Sequence, residues 1–189
     1  MKTATNKKLP KWAEAAFQGL AFWIGHRRAY YRHHDLGESA VVGELCNLIN
    51  ANMESTEYLH CEVQYADLLA RRASKRPLGT RADLVVGGKE KWDARCVIEV
   101  KRSSSPTGLI DEDLVRLQGL KRAQPSIRAF LVVVSEGSRP RRYVSDKGVF
   151  DLKFSGQGGV EFSIRRAWKA SASFKNVGAA HYVCVLEVK

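Results

Sequence analysis

Apolar positions recur at helical spacing twice near the start of the chain. Over residues 9–32 (LPKWAEAAFQGLAFWIGHRRAYYR), Trp12, Ala16, Leu20, Trp23 and Ile24 fall on one stripe. Pro10 suits a first helical turn. His26, Arg27, Arg28 and Arg32 place positive charge where a helix C-terminus favours it. A helix starting near Pro10 is predicted. Residues 37–53 (GESAVVGELCNLINANM) predict a second. With Glu38 at 0° and a step of about 100° per residue, Val41, Val42, Leu45, Leu48 and Ile49 lie at about −60°, +40°, −20°, −80° and +20°. Glu38 therefore occupies the centre of the apolar face, and Glu44 lies about 120° away. A carboxylate in an apolar face needs a partner, because burying a lone charge is costly.

The period then shortens. Residues 58–66 (YLHCEVQYA) alternate as a strand does, and 68–81 (LLARRASKRPLGTR) read as a basic loop with a helical turn. ADLVVG (82–87) and RCVIEVK (95–101), joined by a short polar stretch, read as a hairpin. SSSPTG is a loop. Residues 110–124 predict a helix with acids in front, bases behind and a stripe of Ile110, Leu114, Leu117 and Leu120. Pro125 ends it, and RAFLVVVS (128–135) is a buried strand. RPRRY, VFDLKF, VEFSIRRAW and HYVCVLEVK suggest further strands. The order helix–helix–strand–strand–strand–helix–strand predicts an α/β fold built on a mixed sheet.

Composition narrows the function classes. A chain of 189 residues, 44% hydrophobic, suits one globular domain. No apolar run reaches the ~18 residues of a membrane span, and the first residues carry no apolar leader, so neither membrane insertion nor secretion is expected. Cys46, Cys61, Cys96 and Cys184 are widely spaced, without a CxxC pair. They read as reduced, buried small hydrophobes of a cytoplasmic protein, and a zinc site is not expected. Lys plus Arg number 31 against 20 Asp plus Glu, a net charge of +11, which favours a polyanionic partner without naming one.

The chemistry gathers on the hairpin. Asp83 opens one strand; Glu99 and Lys101 lie two apart on the other, so their side chains share a face. Hairpin pairing brings Asp83 beside Glu99 at one sheet end. Two converging carboxylates make a hard oxygen site suited to Mg²⁺ or Mn²⁺. A nearby ammonium is able to position a water or offset charge in a phosphorane-like transition state.

Asp83, fifteen intervening residues and then Glu99-Val100-Lys101 resemble the PD-(D/E)XK nuclease superfamily. The resemblance spans roughly 37–135. It implies a restriction-endonuclease-like fold, a mixed central sheet flanked by helices around an α-β-β-β-α-β core. It also implies Asp83 and Glu99 as metal ligands, Lys101 as the catalytic lysine and Glu38 as the acid of the first core helix. Glu62 is a weaker auxiliary candidate. Ala82 stands where many members have Pro, and Gln118 lacks the following Tyr of some exonuclease-like branches. A second EVK, Glu187-Val188-Lys189, has no helix and strand after it and reads as an outer strand with solvated charges. The implied layout is a single nuclease-like domain: a helical extension (1–36), a catalytic core (37–135) and a β-rich part (136–189).

Cationic clusters at Arg71, Arg72, Lys75 and Arg76, at Arg139, Arg141 and Arg142, and at Arg165–Arg166 suggest a surface that tracks phosphates. The expected activity is divalent-metal-dependent hydrolysis of DNA phosphodiesters, with a homodimer a natural form where both strands of a duplex are cut. Two alternatives stay open: a catalytically silent nuclease-fold module that binds nucleic acid or protein, and an RNA-directed nuclease.

Overall fold

Pro10 and the basic end of its segment bracket the first helix, α1 (Lys11–Tyr30), whose first turn closes through Ala13 N–H donating to the Pro10 carbonyl at 3.0 Å. The computed structural model describes residues 8–30, 34–69, 81–91, 93–149, 153–154, 158–170 and 180–189. After α1 come α2 (Glu38–Asn52), β1 (Tyr58–Gln64), a short α3 (Tyr65–Leu69), β2 (Arg81–Gly87), β3 (Ala94–Arg102), α4 (Thr107–Ala123) and β4 (Arg128–Ser135). The remainder holds β5 (Val144–Ser145), β6 (Gly148–Val149), β7 (Lys153–Phe154), β8 (Glu161–Ala170) and β9 (His181–Val188). The chain order through β4 is the expected helix–three strands–helix–strand, with α3 added between the first and second strands.

Seven strands form one mixed sheet in the order β1-β2-β3-β4-β9-β8-β7. β1, β2 and β3 pair antiparallel, β3 and β4 pair parallel, and β9 returns antiparallel beside β4. A parallel neighbour needs a crossover, and α4 supplies it. The β2–β3 hairpin closes tightly: Gly88 N–H donates to the Asp93 carbonyl at 2.9 Å, and a Cβ on Gly87 would collide with the Asp93 main chain. β4 sits mid-sheet with helices over both faces, which is why AFLVVVS is a continuous apolar run with no alternation.

The sheet separates two cores. On one face α4 lays Ile110, Leu114 and Leu117 against Val97, Leu131 and Val133. On the other, α1 and α2 lay Phe17, Leu20, Val41 and Leu45 against Ile98, Val100 and Val132. α1 packs on α2, β8 and β9, so the N-terminal helix and the C-terminal strands share one core.

Four expectations change. RPRRY is a turn, not a strand, with Tyr143 and Val144 N–H groups both donating to the Pro140 carbonyl. The first strand ends at Gln64, and Tyr65 begins α3. The C-terminal EVK is not on an outer strand: β9 lies between β4 and β8, and Glu187 receives Arg128 at 2.8 and 2.9 Å and Arg165 at 3.2 Å. Only Cys96 and Cys184 are buried; Cys46 is half-buried and Cys61 exposed. Among the described residues, no helix is long and apolar enough to cross a membrane.

The seating of α1 is directly measurable. Phe17 is fully buried, its ring tilted against Trp168 with centroids 5.8 Å apart. Phe17→Ala should lower unfolding stability by about 3–5 kcal/mol, whereas Phe22→Ser, on the half-exposed side of the helix, should change it by under about 0.5 kcal/mol. Urea denaturation of both variants checks the difference; equal, small effects would mean that α1 is not docked as described.

Candidate active site

Register brings the two carboxylates together. Leu84 pairs with Ile98 across β2 and β3, so Asp83 and Glu99 are opposed one step further along. Asp83 accepts the Val100 backbone N–H at 2.7 Å, and Glu99, 2% exposed, accepts the Tyr65 hydroxyl at 2.6 Å. Tyr65 is itself fully buried at the start of α3.

Burial, first of all, raises both acids. Glu99 is pushed up to about 7, by desolvation and then by the neighbouring Asp83 charge; the Tyr65 hydroxyl, Arg116 and Lys101 act the other way. Asp83 is also raised, chiefly by burial, against the opposing pull of the Val100 N–H, Lys101 and a side-chain hydrogen bond with Glu99. Burial and the adjacent Glu99 push the Tyr65 phenol up, so it stays a donor.

Lys101 closes the site. Its ammonium donates to Glu38 at 2.6 Å, lies 3.3 Å from Asp113 and reaches the Val100 carbonyl at 3.3 Å. Glu38 comes from the first turn of α2, where the helix dipole favours a carboxylate. Its angular position is the one predicted, but its depth is not: the side chain is 36% exposed, in the wall of an open cavity. Its partner is Lys101. Asp113, from α4 on the opposite face, is fully buried and in ion-pair contact with both Lys101 and Arg116.

Asp83, Glu99, Lys101 and Glu38 are thus brought together. Glu62 stands apart as an exposed residue with φ 52°, 4.0 Å from Arg81. It shares with Glu38, Val42, Cys46, Cys61 and Asp83 the wall of an open cavity of about 650 Å³. Arg71, Arg72, Lys75 and Arg76 lie outside the described residues. Arg142 is bound to Asp111 at 2.5 Å and Arg139 to Asp146, while Arg141 is exposed. Arg166 pairs with Glu14 at 2.9 Å.

Sequence reasoning missed Tyr65, Asp113 and Arg116. Asp113 had a signal. With Ile110 at 0°, Leu114, Leu117 and Leu120 fall at about +40°, −20° and −80°, and Asp113 at about −60°, inside the apolar arc. Tyr65 had none, since nothing local marks the strand as ending one residue before it.

The oxygens suit a hard divalent cation. Asp83 and Glu99 each spend one oxygen on a protein donor, both are raised chiefly by burial, Glu99 further by the Asp83 charge and Asp83 by Glu38, and Mg²⁺ is commonly held by one or two carboxylates with waters completing its shell. Among the described residues, no three His, Cys, Asp or Glu are gathered to hold a metal by themselves. The fit is to a two-carboxylate, water-rich ion and not to an all-protein cage.

The chain matches no protein-family model, no curated protein and no solved structure.

Glu99 makes a pH prediction. Its folded pKa, about 7, lies above its ordinary 4.5, so between those values the folded state holds more protons than the unfolded chain. Stability must then fall as pH rises through that window and level off above it. In metal-free buffer, wild type should lose on the order of 2–3 kcal/mol more than Glu99→Gln between pH 5 and pH 8 in urea denaturation. Equal losses would assign the titration to other groups.

Proposed function

We propose that this chain is a divalent-cation-dependent nuclease of the PD-(D/E)XK type, with a restriction-endonuclease-like core, that hydrolyses DNA phosphodiester bonds. The observation that carries it is the adjacency of Asp83 and Glu99 with the positioned ammonium of Lys101 at one end of the sheet. Two raised carboxylates and a fixed cation form a costly cluster at a sheet end, and an oxygen-seeking cation with a phosphate would relieve the repulsion.

In this reading Asp83 and Glu99 hold Mg²⁺ or Mn²⁺, which supplies Lewis-acid activation of water and of the phosphoryl oxygens. Tyr65 and the Val100 N–H fix the rotation of each carboxylate. Lys101 orients the attacking water or meets the charge that grows on the phosphorus oxygens. Its three donors face Glu38, Asp113 and the Val100 carbonyl in the substrate-free protein, so engagement requires exchanging one of them. The 3.3 Å approach to the Val100 carbonyl is the weakest candidate to retain. Water attack would form one P–O bond and break another; the attacking water would release a proton to solvent and the departing oxygen would take one up. The basic surface holds the backbone.

A silent binding module on the same fold is the second reading. It is favoured by the absence of a three-residue ligand set among the described residues and by the Glu38–Lys101 ion pair, which occupies both groups.

Cleavage assays with plasmid, linear duplex, single-stranded DNA and RNA, with Mg²⁺ and with EDTA, separate the two. DNA cleavage that needs the cation and falls by about 10²-fold or more in Lys101→Ala is expected. DNA affinity should also fall steeply with salt. Equal cleavage by wild type and Lys101→Ala removes the lysine from the reaction. No cleavage, with a melting temperature unmoved by Mn²⁺, selects the binding module.

A further inference from the structure

Cys46 and Cys61 meet across two elements. Their sulfurs are 3.5 Å apart, one from α2 and the other from β1. They lie in the wall of the cavity that also holds Glu38 and Asp83. Cys46 follows Glu38 by eight residues, about two helical turns, and Cys61 pairs with Leu84, the residue after Asp83. We propose that Cys46 and Cys61 form a reversible intramolecular disulfide, a modification site that ties α2 to β1 at the wall of the cavity. The inference stands apart from the nuclease reading and does not depend on it.

Three observations carry it. The first is the separation: a disulfide needs its sulfurs at about 2.05 Å, so the two sulfurs have about 1.5 Å left to close. The second is access. Cys61 is exposed and Cys46 half-buried, whereas Cys96 and Cys184 are buried in strands and serve as internal controls. The third is a break in the strand. Alternate residues of a strand share a face, yet Val63 lies in the α4-side core while Cys61 faces α2. Glu62, between them, has φ 52°, a left-handed conformation that costs a residue with a side chain. Leu59 and Leu84, the residue opposite Cys61, pack on the α2-side core, so alternation sets Cys61 toward α2, and it is Val63, past the bend, that leaves that face.

The chemistry balances with a low-molecular-weight disulfide, RSSR, as the oxidant. The Cys61 thiolate attacks RSSR, forming a mixed disulfide and releasing one thiol. The Cys46 sulfur then displaces the second. The two protein thiols lose two electrons and two protons, and RSSR becomes two RSH. Cys61 is pushed up to about 11 by burial and by the Cys46 thiol, so the first attack is slow at neutral pH and the reaction is best run at mildly alkaline pH.

The test uses the full chain, oxidised glutathione at pH 8.5, and mass spectrometry after alkylation in denaturant. Both cysteines lie in the single tryptic peptide 33–71. That peptide should lose two hydrogens, about 2 Da, and gain no alkyl groups, while Cys96 and Cys184 are alkylated. Cleavage after Glu54 or Glu57 should leave the two pieces joined until dithiothreitol separates them. Cys46→Ser should trap Cys61 as the glutathione mixed disulfide. A native cross-link closing a loop of this length should raise the melting temperature by on the order of 5–10 °C. Four alkylated thiols after oxidation, a disulfide through Cys96 or Cys184, a product found only between two chains, or a lower melting temperature would each overturn the assignment.

Discussion

Two carboxylates from opposite faces of the sheet, Glu38 on α2 and Asp113 on α4, meet on the ammonium of Lys101. Neither helix is bound to the other directly at this point; β3 separates the layers, and only where the strand runs out can one long side chain be shared by both. The clamp makes each layer's placement depend on the other. Asp113 is wholly buried, so taking away both of its cations, Lys101 and Arg116, would leave an uncompensated charge in the α4-side core, a loss of the kind that costs about 3–5 kcal/mol. Arg116 shares that duty, which allows Lys101 to exchange one contact without stranding Asp113.

The same strand end explains the acids. Antiparallel pairing with β2 sets Asp83 against Glu99, while parallel pairing with β4 places β3 inside the sheet and removes water from its side chains. One pairing supplies proximity and the other supplies burial. Burial is the larger cause for both acids; proximity adds to it for Glu99, through the Asp83 charge. Glu187, by contrast, has Arg128 and Arg165 beside it. The two EVK triplets are therefore opposites in one fold: one glutamate is neutralised by two guanidiniums, and the other is held against a second acid.

Much of this was legible from spacing. The hairpin, the shared face of Glu99 and Lys101 and the angular place of Glu38 follow from periods of 2 and 3.6 and hold in three dimensions. The arithmetic that isolated Glu38 also isolates Asp113, yet acids at a helix start have a ready explanation in the dipole, and that explanation hid the one that faces inward. What was not legible depends on tertiary pairing. No local pattern puts β9 between β4 and β8, ends β1 before Tyr65, or turns Val63 to the α4-side core past a left-handed Glu62. Each of these is fixed by contacts between residues distant in sequence.

The net charge of +11 changes meaning once its carriers are placed. Arg142, Arg139, Arg165 and Arg166, read from sequence as phosphate contacts, each touch an acid of their own chain. An arginine held by a carboxylate is a poor first contact for a phosphate, since the carboxylate must be displaced or repelled. Such pairing leaves the sum of charge unchanged, however, and it is the sum that governs attraction at distances beyond a few ångströms. Under the proposed nuclease reading, long-range pull on a polyanion and short-range contact with its phosphates would therefore belong to different residues. The pull would be a property of the whole chain, and contact with phosphate would require a paired arginine to exchange its carboxylate.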